Sequence, residues 1–293
     1  HYNRGNDFFG WFLGPSMVYT SGYYKDLASE NLERAQENKL QLVCQKMMMK
    51  KGERHLDIGC GWGTMVIYAA KNCGTDSTGV TLAQEQVDFG MARIQKLGLS
   101  ETCRMIVRDY RDSPPGPYDK ITCIEMAEHV GVRKFQPFLA LVKSLMTDNG
   151  LFYMQVSGLR RAWQWEDLSW GLFMNKYVFP GADASTPVAW YLNELERAGF
   201  EIHSEETVGK HYSFTLLAWY ENWLSNKEDI LKAYGMRWYR LWAWFLAWSV
   251  IAAGQGSASC YQIVAHKNTN EFPRESFFGS NRLGTQALPS SFF

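Results

Sequence analysis

The stretch "HLDIGCGWGT", His55–Thr64, decides how the chain is read. A short apolar run carrying Asp57 leads into Gly59, Gly61 and Gly63, spaced G-x-G-x-G. Such a turn between a strand and a helix lets backbone approach a ligand closely, because glycine has no Cβ. A dinucleotide loop wants G-x-G-x-x-G, and Thr64 stands where its last glycine belongs. A ribose-gripping acid is also expected about 20 residues on. Instead the next strand ends "GVTLAQEQ", with Thr81 and Gln86 as its nearest polar groups. A P-loop is excluded, because no Gly-Lys-Ser/Thr follows.

Outward from the loop, strands and helices alternate. "RHLDI", "STGVTL", "CRMIVRD", "YDKITCIEMA" and "GLFYMQVSG" read as strands. "TMVIYAAKN", "AQEQVDFGMARIQKLG" and "RKFQPFLALVKSLM" read as helices. This alternation predicts an α/β fold, a mostly parallel sheet with helices on both faces. Its ligand belongs beyond the carboxyl ends of the strands. Residues 51–158 form this core, and residues 1–50 an N-terminal helical cover with a helix over Leu27–Met49. From 159 to 187 the pattern stops, and Trp163, Trp165, Trp170, Phe173, Tyr177 and Phe179 crowd the insertion. Segments this long inside a compact domain are lids or binding elements. Residues 188–267 return to a helix and two strands, and 268–293 read as an irregular tail.

Thirty basic and thirty acidic residues cancel, which argues against a nucleic-acid partner. Aromatics reach 15%, with twelve Trp. They line either a Trp-rich core or an apolar tunnel or membrane-facing surface. The six cysteines show no C-x-x-C spacing, so free thiols in a reducing compartment and no metal site are expected. No signal-peptide pattern opens the chain. The apolar run Leu241–Ala253 is shorter than the ~20 residues of a membrane span. It reads as a core helix ahead of an interfacial one.

At these residues the chain resembles S-adenosylmethionine-dependent methyltransferases. "LDIGCGWGT" resembles their nucleotide loop, and "GVTLAQEQ" the second-strand variant of the cyclopropane-fatty-acid-synthase (mycolic acid cyclopropane synthase) branch. "HYNRGNDFFGWFLGPSMVYTSGYY", "DYRD", "EMAEHVG" and "HYSFTLLAWYENW" match in order, so the resemblance runs to about residue 265. The spelling "VYTSGYY" and the aromatic lid are most similar to fungal sphingolipid C9-methyltransferases. The resemblance implies a class I, Rossmann-like methyltransferase fold with S-adenosylmethionine as methyl donor. Leu56, Asp57, Ile58, Gly59, Cys60, Gly61, Trp62, Gly63 and Thr64 form its loop, with Asp57 ordering the turn or meeting the ammonium. Thr81, Leu82 and Gln86 meet the ribose, Tyr110 and Arg111 the adenine edge, and Tyr19 and Thr20 the methionine end. Membrane spans usually precede this domain in that family, so the chain is expected to be the catalytic piece of a longer protein. Its place is a membrane surface, by resemblance the endoplasmic reticulum with the catalytic domain facing the cytosol. Nothing in the sequence sets the oligomeric state.

A sulfonium methyl is already activated, so such an enzyme works mainly by alignment. An isolated alkene acceptor adds a carbocation, which needs negative or π-electron density nearby and no water. In cyclopropane synthases a bicarbonate ion sits there, held by a Cys backbone, a Glu, a His and a Tyr. These positions fall on Ser21, Glu128, Gln155 and Tyr212, so two of the four differ. A late-helix Cys of the bacterial enzymes falls on Ser249. Glu128 is expected to organise the anion or stabilise the cation, or else to cap the following helix. Tyr212 is an anion ligand or a core tyrosine, His129 is structural, and Glu125 is structural or adenine-side. Trp163, Trp165 and Trp170 are lid core or lipid contacts. The departure at Gln155 implies a methyl-branched alkene rather than a ring, on the Δ8 alkene of a ceramide. A cyclopropane synthase, a small-amine N-methyltransferase and a non-catalytic donor-binding module are the alternatives.

Overall fold

A computed structural model describes residues 5–180 and 186–277. Parts of the expected lid and tail, and the first four residues, lie outside these. Among the described residues a seven-stranded sheet runs in the order β3-β2-β1-β4-β5-β7-β6. Strands β1 (Arg54–Ile58), β2 (Asp76–Thr81), β3 (Cys103–Val107), β4 (Tyr118–Ile124) and β5 (Met146–Leu159) pair in parallel. Strand β7 (Ala258–Lys267) enters antiparallel between β5 and β6 (Phe200–Thr207). The central strands are buried almost throughout, as expected of parallel strands covered on both faces.

Helices α1 (Asn6–Leu13) and α2 (Leu32–Lys46) precede the sheet. The expected helix over Leu27–Met49 is shorter, because Asn31 caps it by accepting from the Arg34 amide. Helices α3 (Thr64–Cys73), α4 (Gln84–Lys96) and α5 (Phe135–Leu145) are the crossovers. The insertion is partly regular: α6 (Trp165–Phe173) leads into a π-helical turn over Met174–Val178. A reciprocal cap starts α6, with the Gln164 amide donating to Asp167 and the Gln164 side chain accepting from the Asp167 N–H. Helix α7 (Val188–Arg197) precedes β6.

Helices α8 (Gly209–Ser225) and α9 (Lys227–Gly254) fill the long connection from β6 to β7. Gly235, at φ +78°, breaks α9. Its apolar run is core on one face only. Trp242, Phe245, Leu246 and Ser249 are buried, whereas Trp244 and Ile251 face outward. Six of the twelve tryptophans belong to one aromatic cluster. There α1 sends Phe8, Phe9 and Phe12 against Trp219, Trp223 and Trp242. No helix among the described residues is long and apolar enough to cross a membrane. Five of the six cysteines are buried free thiols, and Cys73 is half-buried.

Candidate active site

Two cavities open at the carboxyl ends of β1, β2 and β4. The first, of about 280 Å³, is lined by Tyr19, Thr20, Asp57, Gly59, Cys60, Gly61, Trp62, Thr64, Thr81, Leu82, Gln86 and Tyr110. Gly59, at φ +80°, has no room for a Cβ, which would strike Met126. Gly61, at φ +52°, differs: a Cβ there would meet nothing within 4 Å, because the backbone borders open space. Thr81 donates to Gln86 Oε1 at 2.7 Å, which fixes the side chain at the second strand's end.

Three residues expected in this cavity lie beside it. Leu56 and Ile58 are fully buried in the core beneath the loop, since alternate side chains of β1 point away from Asp57. Gly63 caps α3 in the left-handed region, against Met105. Arg111 also misses the cavity: its guanidinium is exposed and paired with Asp109 at 2.8 and 2.7 Å. Tyr110 alone of that turn's expected pair lines the wall.

Asp57 is buried at the cavity floor, where the Thr122 hydroxyl donates to it at 2.6 Å. Thr122 oxygen is then left to accept from His55 Nε2 at 2.9 Å, which assigns the tautomer of that buried ring. Burial pushes Asp57 up to about 6, opposed by Thr122 and the Lys39 charge. Lys39 itself was not legible in the sequence. It sits on α2, is 1% exposed, and its ammonium donates to Thr20 Oγ1 at 2.7 Å. Burial pulls its pKa down to about 8, against the upward pull of Glu125 and Asp57.

The second cavity, of about 120 Å³, is lined by Trp170 and Met174 of the insertion, Trp219, Phe245, Ser249 and Ala253 of the late helices, and Glu128, Ser157 and Tyr212. Tyr19, Glu125 and His129 line both cavities, so the two meet at these side chains.

The four expected catalytic positions do not surround a common empty point. Three of them converge on Glu125. Its Oε1 accepts from the Ser21 backbone N–H at 2.9 Å and from Gln155 Nε2 at 2.6 Å. Its Oε2 accepts from the Tyr212 hydroxyl at 2.7 Å. Cys260 Sγ adds a weak contact at 3.6 Å. Glu125 stands just past β4 at φ +52°, a conformation costing a non-glycine residue about 1 kcal/mol. Expected to be structural or adenine-side, it ties three elements together and lies between the two cavities. Burial raises its pKa, opposed by those three donors and by Lys39.

The orientation of Gln155 is set from behind. Its Oε1 accepts from Tyr153 at 3.0 Å and from Gln262 Nε2 at 3.2 Å. Gln262 Oε1 in turn accepts from Lys46, which pairs with Glu206 at 2.6 Å. The Gln155 N–H₂ is thereby left to face Glu125.

Glu128 stands apart from this group. Its Oε1 accepts from the Ser157 N–H at 3.3 Å, and its buried Oε2 has no hydrogen-bond partner. Burial, reinforced by the Glu125 charge, pushes it up to about 8. It is a neutral acid at neutral pH, on the wall of the second cavity. Of the lid tryptophans, Trp170 lines that cavity, whereas Trp163 and Trp165 are exposed.

A glycine turn after β1, beneath a cavity at the strand ends, and an antiparallel β7 inserted beside β6 together define a class I methyltransferase fold. A crystal structure of mycolic acid cyclopropane synthase CmaA1, complexed with SAH and CTAB, shares it at TM-score 0.86. That match is 22% identical and covers 91% of this chain and 96% of that one. The chain belongs to the mycolic acid cyclopropane synthetase family, whose model matches residues 1–263. It is 53% identical over 278 residues to sphingolipid C9-methyltransferase A of Emericella nidulans, covering 94% of this chain and 54% of that one. It is 50% identical over 290 residues to the sphingolipid C9-methyltransferase of Komagataella phaffii, covering 96% and 59%. The chain thus spans between half and three-fifths of the length of these relatives.

Proposed function

We propose that this chain transfers a methyl group from S-adenosylmethionine to C9 of a Δ8-unsaturated sphingoid base in a ceramide, with the double bond retained. The observation that carries this reading is the meeting of a glycine-floored cavity with a second, aromatic-walled one at Tyr19, Glu125 and His129. The first fits the donor. Gly61 borders open space, Thr20 and Lys39 offer donors to a carboxylate, and Asp57 an acceptor to an ammonium. Thr81 and Gln86 suit ribose hydroxyls, and Tyr110 a base edge. When bound, the donor supplies an electrophilic methyl on a sulfonium. The CmaA1 complex with SAH and CTAB and the names of the fungal relatives support donor and lipid.

The second cavity fits a hydrocarbon. A cavity of 150 Å³ holds benzene, so one of about 120 Å³ takes roughly five carbons. That is an alkene with its neighbours, and the rest of the chain must pass the lid. Trp170, Trp219 and Phe245 keep water out and face π-electron density inward, while Glu128 adds a carboxyl whose Oε2 has no partner. A bound bicarbonate is not needed by this reading.

The acceptor arrives from a membrane surface, by resemblance that of the endoplasmic reticulum. Trp165, Leu168 and Leu172 face outward along α6, with Trp165 71% exposed. Trp244 and Ile251 do the same on α9, and Trp248 joins the two helices through Phe173 and Trp244. Exposed tryptophans with Arg161 and Lys176 near them in sequence suit an interfacial bed.

The test supplies methyl-labelled donor with Δ8-unsaturated ceramide vesicles or with soluble amines. Label is expected in the lipid, and proton NMR is expected to show one vinylic proton beside a new branch methyl. Label in the amines, or a cyclopropane signal with no C=C, defeats the reading.

A further inference from the structure

We infer that Glu125 is a built-in anion: its carboxylate occupies the place a free counter-ion would otherwise take, faces the electron-poor carbon, and accepts its proton. This rests on the alkene-methylation reading above. Three groups expected from the sequence to hold a bound anion all spend their donors on Glu125: the Ser21 N–H, Gln155 Nε2 and the Tyr212 hydroxyl. Each of these donors, at 2.6 to 2.9 Å, favours the charged carboxylate and works against burial, which raises its pKa. Each of the three groups therefore has a donor committed to Glu125 and not to a second anion. Glu125 also borders both cavities, so it sits where methyl donor and alkene meet.

The rest of the neighbourhood is arranged for one charge. Gln155 cannot turn its carbonyl toward Glu125 without breaking with Tyr153 and Gln262. Glu128, the other carboxyl on the acceptor wall, is neutral beside it. In the step, the C8=C9 π pair forms the new bond from C9 to the methyl while the methyl–sulfur bond breaks and leaves its pair on sulfur. C8 becomes electron-deficient. The C9–H bond then breaks, its pair restores C8=C9, and the proton goes to Glu125, which ends as a neutral acid. Lys39, whose ammonium acts on Glu125 through the same buried space, stabilises the carboxylate before transfer.

The experiment compares wild type, Glu125→Gly and Glu125→Gln on Δ8-unsaturated ceramide vesicles, in carbon-dioxide-free buffer and with added bicarbonate or formate. Glycine suits the φ of +52° at this position, so the first variant keeps the backbone. Wild type is expected to turn over within twofold with or without bicarbonate. Both variants are expected to lose at least 100-fold in kcat with donor affinity within threefold. Formate is expected to restore Glu125→Gly at least tenfold, saturably, and not Glu125→Gln, whose amide fills the place. ¹³C-formate NMR is expected to show binding to Glu125→Gly and none to wild type. A wild-type enzyme that stops without bicarbonate, or a Glu125→Gln enzyme of normal rate, overturns the inference while methylation of the alkene stands. A wild type that methylates no alkene lipid in either buffer overturns the functional reading, and this one with it.

Discussion

Substituting Glu128→Gln should make the protein more stable at neutral pH while making it a worse catalyst. Glu128 is fully enclosed, its Oε2 has no partner, and the Glu125 charge lies nearby. Its pKa therefore rises from 4.5 to about 8 on folding. An acid raised on folding binds its proton more tightly in the native state, so stability is full below pH 4.5 and declines as pH climbs toward 8. At 1.36 kcal/mol per unit, the gap between the two constants amounts to about 3 kcal/mol of lost stability by pH 7. Glutamine does not titrate and escapes this loss. It carries its own penalty, because an amide N–H₂ at the partnerless position costs about 1–3 kcal/mol. That penalty does not vary with pH, so the quantity to measure is the variant-minus-wild-type difference in unfolding free energy. Urea melts at pH 4, 5.5, 7 and 8 should show it growing by about 3 kcal/mol from the lowest to pH 7 and by about 1 more at pH 8. At neutral pH the turnover should drop about 100-fold, with donor affinity unchanged, as for a lost electrostatic group at a reacting centre. A difference flat with pH would refute the buried-acid assignment, and unchanged turnover would refute the role on the cavity wall.

Three further outcomes follow from the geometry. Gly61→Val should weaken donor binding at least 100-fold by calorimetry, since it strains a φ of +52° and fills the open cradle; an unchanged Kd would remove the loop from the donor site. Lys46→Met should destabilise by about 3 kcal/mol, because it strands Glu206 and releases Gln262, and should lower kcat through Gln155; a neutral melt would show the buried pair to be idle. The triple change Trp165→Ser, Leu172→Ser, Trp244→Ser should cut vesicle co-sedimentation at least tenfold while donor Kd stays put, and equal sedimentation would discard the interfacial bed.

What could be read ahead of the structure was local. Five strands and three crossover helices follow from apolar runs punctuated by glycines, and the G-x-G-x-G turn sits where the first strand hands over to a helix. Leu56 and Ile58 turn their side chains from the cavity through strand alternation, which sends every second side chain away from the floor. Arg111 is drawn aside by Asp109, two residues back. The choice between Glu125 and Glu128 was beyond sequence reasoning. Both acids follow the same strand, and what separates them is contributed by Ser21, Gln155 and Tyr212, from three distant elements. Lys39 was hidden for a related reason. Within "RAQENKLQ" it looks solvated, and only the seating of α2 against the sheet buries it. The apolar run in α9 reads as uniformly apolar in sequence, yet its i, i+7 pair Trp244 and Ile251 lies on the far side of the helix from the core.

Helix α6 has greasy residues on both of its sides, Trp170 inward and Trp165, Leu168 and Leu172 outward. A hydrocarbon of ten methylenes pulled into water forfeits about 8 kcal/mol, at ~0.8 kcal/mol for each. A partition that is oily front and back spares it that crossing: the tail exchanges one hydrophobic neighbour for the next and never wets. On the lipid-methylating reading proposed above, extraction from a bilayer would be a sideways slide past a single helix, with friction in place of a thermodynamic hill.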